Sequence, residues 1–307
     1  MSTKPLVWLP FDVDYLENAP SELDYETFVP EPGGALPDWV SRVEFYVPPY
    51  QWSDNGSGLL QEMPALKVVQ TMTAGVDHIR PLVPEGVLLC NGRGIHDTST
   101  AELAMTLMLS SLRGIPRFVR AQDEHHWDHA MLPALADKTV LIVGYGAIGA
   151  ALERRLAGFE TDVVRVARRP RAGVWGFEEL SDLVPQADVV VLIVPLTDET
   201  RAMVDAGFLA RMKDGALLVN VARGGVVDTD ALVKELHSGR ITAALDVTDP
   251  EPLPAGHPLW DAPGLLLTPH VGGASSAMNP RAFAVVRDQL RRFADGEPLA
   301  NVMSGAY

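Results

Sequence analysis

Short apolar runs separated by polar, proline-rich stretches dominate the first hundred residues: Leu6–Leu9, Val43–Val47, Leu66–Thr71 and Val87–Cys90. Each is bounded by Pro, Gly or Asp, the pattern of strands buried in an α/β layer. Connections such as Pro30–Gly34 read as surface loops. At Asp97 the pattern changes to a long helix, which Thr98 or Ser99 can cap; Glu102 falls in its first turn and apolar residues run from Leu103 to Leu112. That helix is apolar nearly all round, which predicts burial between domains or between subunits. A second series follows, with strands predicted at Thr139–Val143, Asp162–Val166, Val189–Val194, Leu217–Val221, Ile241–Asp246 and Leu265–Thr268, a helix starting at Ala147, and a last amphipathic helix at Arg281–Phe293. Alternating strands and helices of these lengths predict doubly wound parallel sheets with right-handed crossovers.

A chain of 307 residues usually forms two domains. The expected division is two α/β domains, residues 1–98 completed by 276–307 and residues 99–275, with a cleft between them. Hydrophobic residues make up 47% of the chain and charged ones 21%, a globular rather than disordered composition. The net charge of −15 argues against nucleic acid and anionic membranes as partners, since both demand positive surface. A single cysteine, Cys90, excludes an intramolecular disulfide and cysteine-paired metal cages, and it fits a reducing compartment. No apolar run reaches the roughly 18 residues of a membrane helix. No signal peptide is visible at the N-terminus, so a cytoplasmic protein is expected.

The strand at Thr139–Val143 runs directly into Gly144-Tyr145-Gly146-Ala147-Ile148-Gly149. In such a turn the first glycine allows the sharp bend, the second lets backbone approach a pyrophosphate, and the third lets helix and strand pack closely. The helix N-terminus offers free amides to the anion. A ribose-binding acid normally ends the next strand, but here Glu160 and Asp162 precede it and Arg165-Val166-Ala167-Arg168-Arg169-Pro170-Arg171 closes it. A guanidinium favours a 2′-phosphate through charge-assisted hydrogen bonds of roughly 1.5–3 kcal/mol each, about tenfold to a thousandfold in affinity for one or two contacts. NADP(H) is therefore expected over NAD(H), which stays possible, with Arg168 and Arg169 as the sensors. A solvated basic turn is the plain alternative.

Downstream, Arg223, Glu251 and His270 each fall just past a predicted strand, where open α/β sheets hold their ligands. They supply one cation, one carboxylate and one imidazole. Singly, each has a structural alternative: an interface ion pair, a loop acid before Pro252, a turn histidine.

These segments resemble the D-isomer-specific 2-hydroxyacid dehydrogenase family, which includes glyoxylate/hydroxypyruvate reductases and phosphoglycerate dehydrogenases. The resemblance runs from about Leu66 to about Pro298, and it implies a flavodoxin-like substrate domain of residues 1–98 with 276–307 and a Rossmann dinucleotide-binding domain of residues 99–275. It rests on the glycine turn, Val194-Pro195-Leu196-Thr197 with Glu199-Thr200, the Val221-Ala222-Arg223 segment, Asp246 with Glu251, and Thr268-Pro269-His270. It implies transfer of hydride between nicotinamide C4 and C2 of a small 2-oxo or 2-hydroxy acid of the D series, with reduction of glyoxylate or hydroxypyruvate expected. His270 would be the general acid, Glu251 its partner, and Arg223 the group binding carboxylate and keto oxygen. Asp246 would touch the nicotinamide carboxamide. Val194, Pro195, Thr200, Val221 and Ala222 would line the cofactor, together with Arg223 and His270. The substrate carboxylate would meet backbone amides in Thr73-Ala74-Gly75-Val76-Asp77, where Ala74 and Gly75 carry no bulk. The same frame serves dehydrogenases of other small anions, such as phosphite, and nucleotide-sensing corepressors, which are the alternatives. Gln replaces the position of Glu251 in the formate branch, so that branch does not fit. The resemblance and the apolar helix together suggest a homodimer.

Other features stay open. His125-His126-Trp127-Asp128-His129 lacks a metal-ligand pattern and reads as a polar, dimer-adjacent or entrance segment, so no metal is expected. Tyr50 and Trp52 suit either the cleft or loop packing. Asn91, Gly92, Arg93 and His96 sit at the domain crossover as hinge or substrate-contacting residues. Trp260 and Cys90 read as packing.

Overall fold

The computed structural model describes residues 4–29, 34–50 and 58–304. Trp52 and most of the Pro30–Gly34 connection lie outside the described residues. The chain divides into two compact units, Met1–His96 with Ser276–Tyr307, and Asp97–Ser275.

The first unit holds β1 (Leu6–Leu9), β2 (Asp24–Thr27), β3 (Val43–Tyr46), β4 (Val68–Gln70) and β5 (Leu88–Cys90) in one parallel sheet ordered β2-β1-β3-β4-β5. This is the flavodoxin-like order, with the chain reversing direction across the sheet between β1 and β3. The pleat sends alternate residues to opposite faces. Leu6, Trp8, Tyr46, Val69 and Leu89 pack on one face, and Val7, Leu9, Phe45, Val68 and Cys90 on the other. The second face is covered by the C-terminal helix, which returns Ala282, Val286 and Leu290 to it. That return explains why residues so distant in sequence belong to one unit. Strand β2, Asp-Tyr-Glu-Thr, is absent from the hydrophobic pattern because it is an edge: one side goes unpaired and charges are favoured there.

The second unit follows with helices α1 (Asp97–Leu112) and α2 (Ile115–Asp123), β6 (Thr139–Val143), α3 (Ala147–Leu156), β7 (Asp162–Val166), α4 (Leu180–Leu183), β8 (Val189–Leu192), α5 (Ala206–Arg211), β9 (Leu217–Asn220), α6 (Thr229–Ser238), β10 (Thr242–Leu245) and β11 (Leu265–Leu267). The six strands form a parallel sheet ordered β11-β10-β9-β8-β6-β7. Beyond β7, Val166 bridges Trp175 in parallel, a rudimentary further strand at the edge. Leu141, Val143, Val190, Leu192 and Leu218 face α4, α5 and α6, whereas Val140, Ile142, Val189, Val191, Leu217 and Val219 face α1 and α3. Both faces are thus covered, as a parallel sheet requires.

Helix α1 begins at Asp97 itself, so Thr98 and Ser99 lie inside its first turn and Glu102 in its second. Its apolar residues, Ala101, Ala104, Met105, Leu107 and Met108, join the core of this unit. The C-terminal helix, α7, runs Met278–Asp295, longer at both ends than the periodicity predicts. Among the described residues, no helix is long and apolar enough to cross a membrane.

Candidate active site

Three neighbouring strands, β9, β10 and β11, deliver Arg223, Glu251 and His270 from their C-terminal ends. His270 adopts φ +53°, a left-handed backbone that a side chain makes unfavourable by on the order of 1 kcal/mol. Two interactions hold it there. The His270 amide donates to the Asp246 carbonyl at 2.7 Å, and the Asp246 carboxylate gathers the residues around it. Asp246, only 3% exposed, accepts from the Thr268 hydroxyl (2.6 Å), the Val271 amide (2.9 Å) and the Gly272 amide (2.8 Å). The Asp246 carboxylate therefore braces the histidine loop, a role the sequence had not suggested. Thr100, near the start of α1, adds a hydrogen bond to the Gly272 carbonyl.

His270 Nδ1 lies 2.5 Å from Glu251 Oε1, which leaves Nε2 to carry the transferable proton. Burial works against charge on Glu251. The hydrogen bond and charge of His270, the Thr248 amide and the charge of Arg223 outweigh it and hold the carboxyl below its usual range. Arg223 projects from a turn built by Asn220, a buried amide ending an apolar strand: Oδ1 accepts from Ala222 N (3.0 Å) and Nδ2 donates to the Arg223 carbonyl (2.9 Å). Arg223 Nη1 donates to the Ala222 carbonyl. Next to it, a Cβ on Gly224 would meet the Thr248 carbonyl at 1.9 Å, so only glycine lets the Arg223 turn lie against the segment leading to Glu251. Asn220 and Gly224 had no role assigned from sequence; the one available signal was a polar amide closing Leu-Leu-Val-Asn.

Along the same sheet edge, the glycines after β6 divide their tasks. Gly144 sits at φ +112°, and a Cβ there would strike the Ile193 carbonyl group at 2.4 Å. A Cβ on Gly149 would meet the Gly144 oxygen at 2.6 Å, whereas Gly146 faces open space. The turn and the N-terminus of α3 are thus shaped to receive a pyrophosphate, and the residues present fit a dinucleotide. Ala147 and Ile148 open the helix. Val194 and Pro195 follow β8 beside Gly144. Buried Thr200 turns its hydroxyl onto the Pro195 carbonyl (2.6 Å) and receives the Thr197 amide (2.9 Å), closing its own loop. Val221 and Ala222 are buried ahead of Arg223.

The basic segment at the end of β7 and just past it is less free than its sequence implies. Arg165 is bound by Glu153 of α3, and Tyr145 donates its hydroxyl to the same carboxylate. Arg171 stacks over the Tyr145 ring and donates to its carbonyl at 2.8 Å. Arg168 and Arg169 are exposed past the strand end.

Ala74 and Gly75 belong to the first unit, in the loop after β4, and their amides have no acceptor among the described residues. Tyr50 packs near His96, ring centroids 5.5 Å apart. The Cys90 thiol is buried and pushed up to about 11, which removes thiolate reactivity. Trp260 is exposed and tied by Nε1 to the Pro254 carbonyl rather than packed in the core. In the histidine-rich segment, Asp128 pairs with Arg117 through two hydrogen bonds. No group of three or more potential metal ligands occurs among the described residues.

A pyrophosphate turn and an imidazole–carboxylate pair on one edge of a doubly wound sheet define a dinucleotide-dependent oxidoreductase. Comparison with known proteins specifies it further. Residues 105–272 match the model of the D-isomer specific 2-hydroxyacid dehydrogenase, NAD binding domain. The chain is 35% identical over 256 residues to a glyoxylate reductase of Thermofilum pendens, spanning 78% of this chain and 75% of that one. It is 33% identical to the human glyoxylate reductase/hydroxypyruvate reductase, with 76% of each chain covered. A crystal structure of a D-isomer specific 2-hydroxyacid dehydrogenase from Xanthobacter autotrophicus Py2, in complex with NADPH and MES, superposes with a TM-score of 0.82 at 33% identity, covering 99% of this chain and 98% of that one. The chain belongs to the D-isomer specific 2-hydroxyacid dehydrogenase family.

Proposed function

We propose that this protein reduces a small 2-oxo acid, of the glyoxylate or hydroxypyruvate type, to the D-2-hydroxy acid at the expense of NADPH. The hydrogen-bonded His270–Glu251 pair, facing the same sheet edge as Arg223 and the glycine turn, carries this reading. Gly144–Gly149 would hold the pyrophosphate and the loops after β8 and β9 the nicotinamide end of a reduced dinucleotide, which would supply the hydride. Arg223 binds the substrate carboxylate and polarises its keto group, stabilising the developing alkoxide. His270 delivers the proton on Nε2 to the carbonyl oxygen, and Glu251, hydrogen-bonded to Nδ1, fixes the orientation of the ring. Asp246 keeps the His270 loop in register and presents the carboxylate expected to touch the carboxamide. The backbone amides of Ala74 and Gly75 are proposed as further ligands of a substrate carboxylate.

Preference for NADPH rests on the absence of an acid after β7 and on Arg168 and Arg169, which are exposed past the strand end. The NADPH carried by the Xanthobacter relative agrees with it. The chain is further proposed to pair with a second copy through α2 and the segment after it, where Ile115, Val119, Trp127 and Met131 stand exposed.

A screen of 2-oxo acids with NADPH and NADH, followed by loss of nicotinamide absorbance, tests the reading. Turnover of glyoxylate or hydroxypyruvate with NADPH is expected; no turnover of any 2-oxo acid with either cofactor refutes it. Arg168→Asp with Arg169→Ala should lower the NADPH-to-NADH efficiency ratio at least about tenfold. An unchanged ratio removes the two arginines as sensors.

A further inference from the structure

The loop after β4 presents a run of backbone carbonyls that all find donors. The Met72 carbonyl lies 2.8 Å from His96 Nε2. That of Thr73 accepts from Gly92 N (2.7 Å) and the Thr71 hydroxyl (2.9 Å), and that of Ala74 accepts from Asn91 Nδ2 (2.9 Å). The Gly75 carbonyl accepts from the Thr73 hydroxyl (2.8 Å), and that of Val76 from the Arg80 amide (2.9 Å). In a trans peptide the carbonyl of one residue and the N–H of the next point in opposite directions. Tying the carbonyls of Thr73 and Ala74 to the protein therefore turns the amides of Ala74 and Gly75 the other way, and neither has an acceptor among the described residues. Two adjacent amides facing outward make a concavity suited to an anion.

Asn91 is placed to set this orientation. Its Oδ1 accepts from the Arg93 amide (3.2 Å), which can only donate, and its Nδ2 donates to the Ala74 carbonyl, which can only accept. Rotating the side-chain amide would break both contacts, so its sense is fixed by its partners. Its backbone is held as firmly. The Asn91 amide donates to the Asn301 carbonyl (3.1 Å), and its own carbonyl accepts from Gln70 Nε2 (3.1 Å). Gln70, fully buried, in turn accepts from Gln289 of the C-terminal helix (2.7 Å). A Cβ on Gly92 would lie 2.7 Å from the Met72 carbonyl group, so the two backbones touch. His96, 5% exposed, holds the Met72 end. A buried polar network satisfied in this way is rigid, and rigidity is what an anion-binding loop requires.

We propose that Asn91 and His96 are positioning residues for the substrate: they touch neither substrate nor cofactor but hold the peptides of the Met72–Gly75 loop so that the amides of Ala74 and Gly75 face the carboxylate of the 2-oxo acid. This rests on the 2-oxo acid reductase reading above. It assigns the crossover residues to substrate affinity rather than to hinge motion.

The test uses the full chain with NADPH, glyoxylate or hydroxypyruvate, and oxamate as an unreactive isostere of the 2-oxo acid. Asn91→Asp keeps shape and the Arg93 contact but sets an acceptor against the Ala74 carbonyl. It should raise both the KM for the 2-oxo acid and the oxamate inhibition constant at least about tenfold, with KM for NADPH unchanged. His96→Leu should act in the same direction, and His96→Gln, which retains an N–H near the position of Nε2, should recover most of the loss. A lowered melting temperature in Asn91→Asp with unaltered KM and oxamate inhibition overturns the proposal, as does a parallel rise in both KM values. Should Asn91→Asp fail to fold, the His96 pair decides, and equal behaviour of Leu and Gln overturns it. A wild-type chain inactive on every 2-oxo acid removes the functional reading and this inference with it, whereas an active wild type with indifferent variants removes the inference alone.

Discussion

At His270 the chain accepts an unfavourable backbone angle to aim an imidazole, and three neighbours hold it: Asp246 by its carbonyl and carboxylate, Thr268 through that carboxylate, and Glu251 through Nδ1. Removing the proton donor while keeping shape, as in His270→Gln, should cut turnover by about 10²–10⁴ with dinucleotide binding retained, measured by steady-state kinetics and fluorescence titration. Glu251 sets the pH response. Its carboxyl lies below its ordinary value of 4.5, so it adds stability that is complete above that value and is lost as pH falls through the lower folded value. It therefore stays ionised throughout the neutral range. Glu251→Gln keeps a partner for His270 Nδ1 but removes the carboxylate charge, so turnover should fall in steady-state kinetics; an unchanged kcat would remove Glu251 from the mechanism. His270, Glu251 and Arg223 were legible in sequence as candidates because chemistry-bearing types recur just past apolar runs. Asn220 and Gly224 were not, since what they do is hold or admit backbone from a segment remote in sequence.

Elements show the same division. The strand, glycine turn and helix from Thr139 to Leu156 could be predicted closely, because local period and turn chemistry agree there. The three glycines nonetheless differ in a way only the fold reveals. Gly144→Ala adds a Cβ 2.4 Å from the Ile193 backbone at φ +112°, and should destabilise the protein by at least about 2 kcal/mol, lowering its melting temperature. Gly146→Ala meets nothing within 4 Å, so the melting temperature should stay near wild type while the Kd for dinucleotide rises. Equal melting temperatures for the two variants would contradict this assignment. Four arginines cluster between Arg165, inside β7, and Arg171 beyond it, but Glu153, one helix away, takes Arg165. Pairing across elements was not visible in the local charge pattern. Edge strand β2 escaped notice for the opposite reason: its acidic residues suit an unpaired edge and leave no apolar signal.

For the molecule as a whole, the apolar helix α1 had suggested a subunit interface, yet its apolar residues are taken up by the core of the second unit. Exposed apolar surface instead appears on α2 and after it, including Trp127 at 92% and Met131 at 98% exposure. A groove of about 390 Å³ runs alongside, lined by Leu103, Leu107, Ile115, Val119 and Leu266. Such a patch is unusual for a monomer. Light scattering should give twice the chain mass of 33.2 kDa, and Ile115→Asp with Val119→Asp should return the single-chain mass. A monomeric wild type would overturn the pairing.

By itself the sequence determined the alternation of strands and helices, the pyrophosphate turn and the identity of the reacting groups, because these depend on period, turn residues and side-chain chemistry within a few positions. Only the tertiary structure decided that Glu153 takes Arg165, that the Asp246 carboxylate braces the histidine loop, and which contacts seat the C-terminal helix on the first sheet. Those outcomes depend on contacts between segments up to some two hundred residues apart, such as Gln289 on Gln70, and local pattern does not encode them.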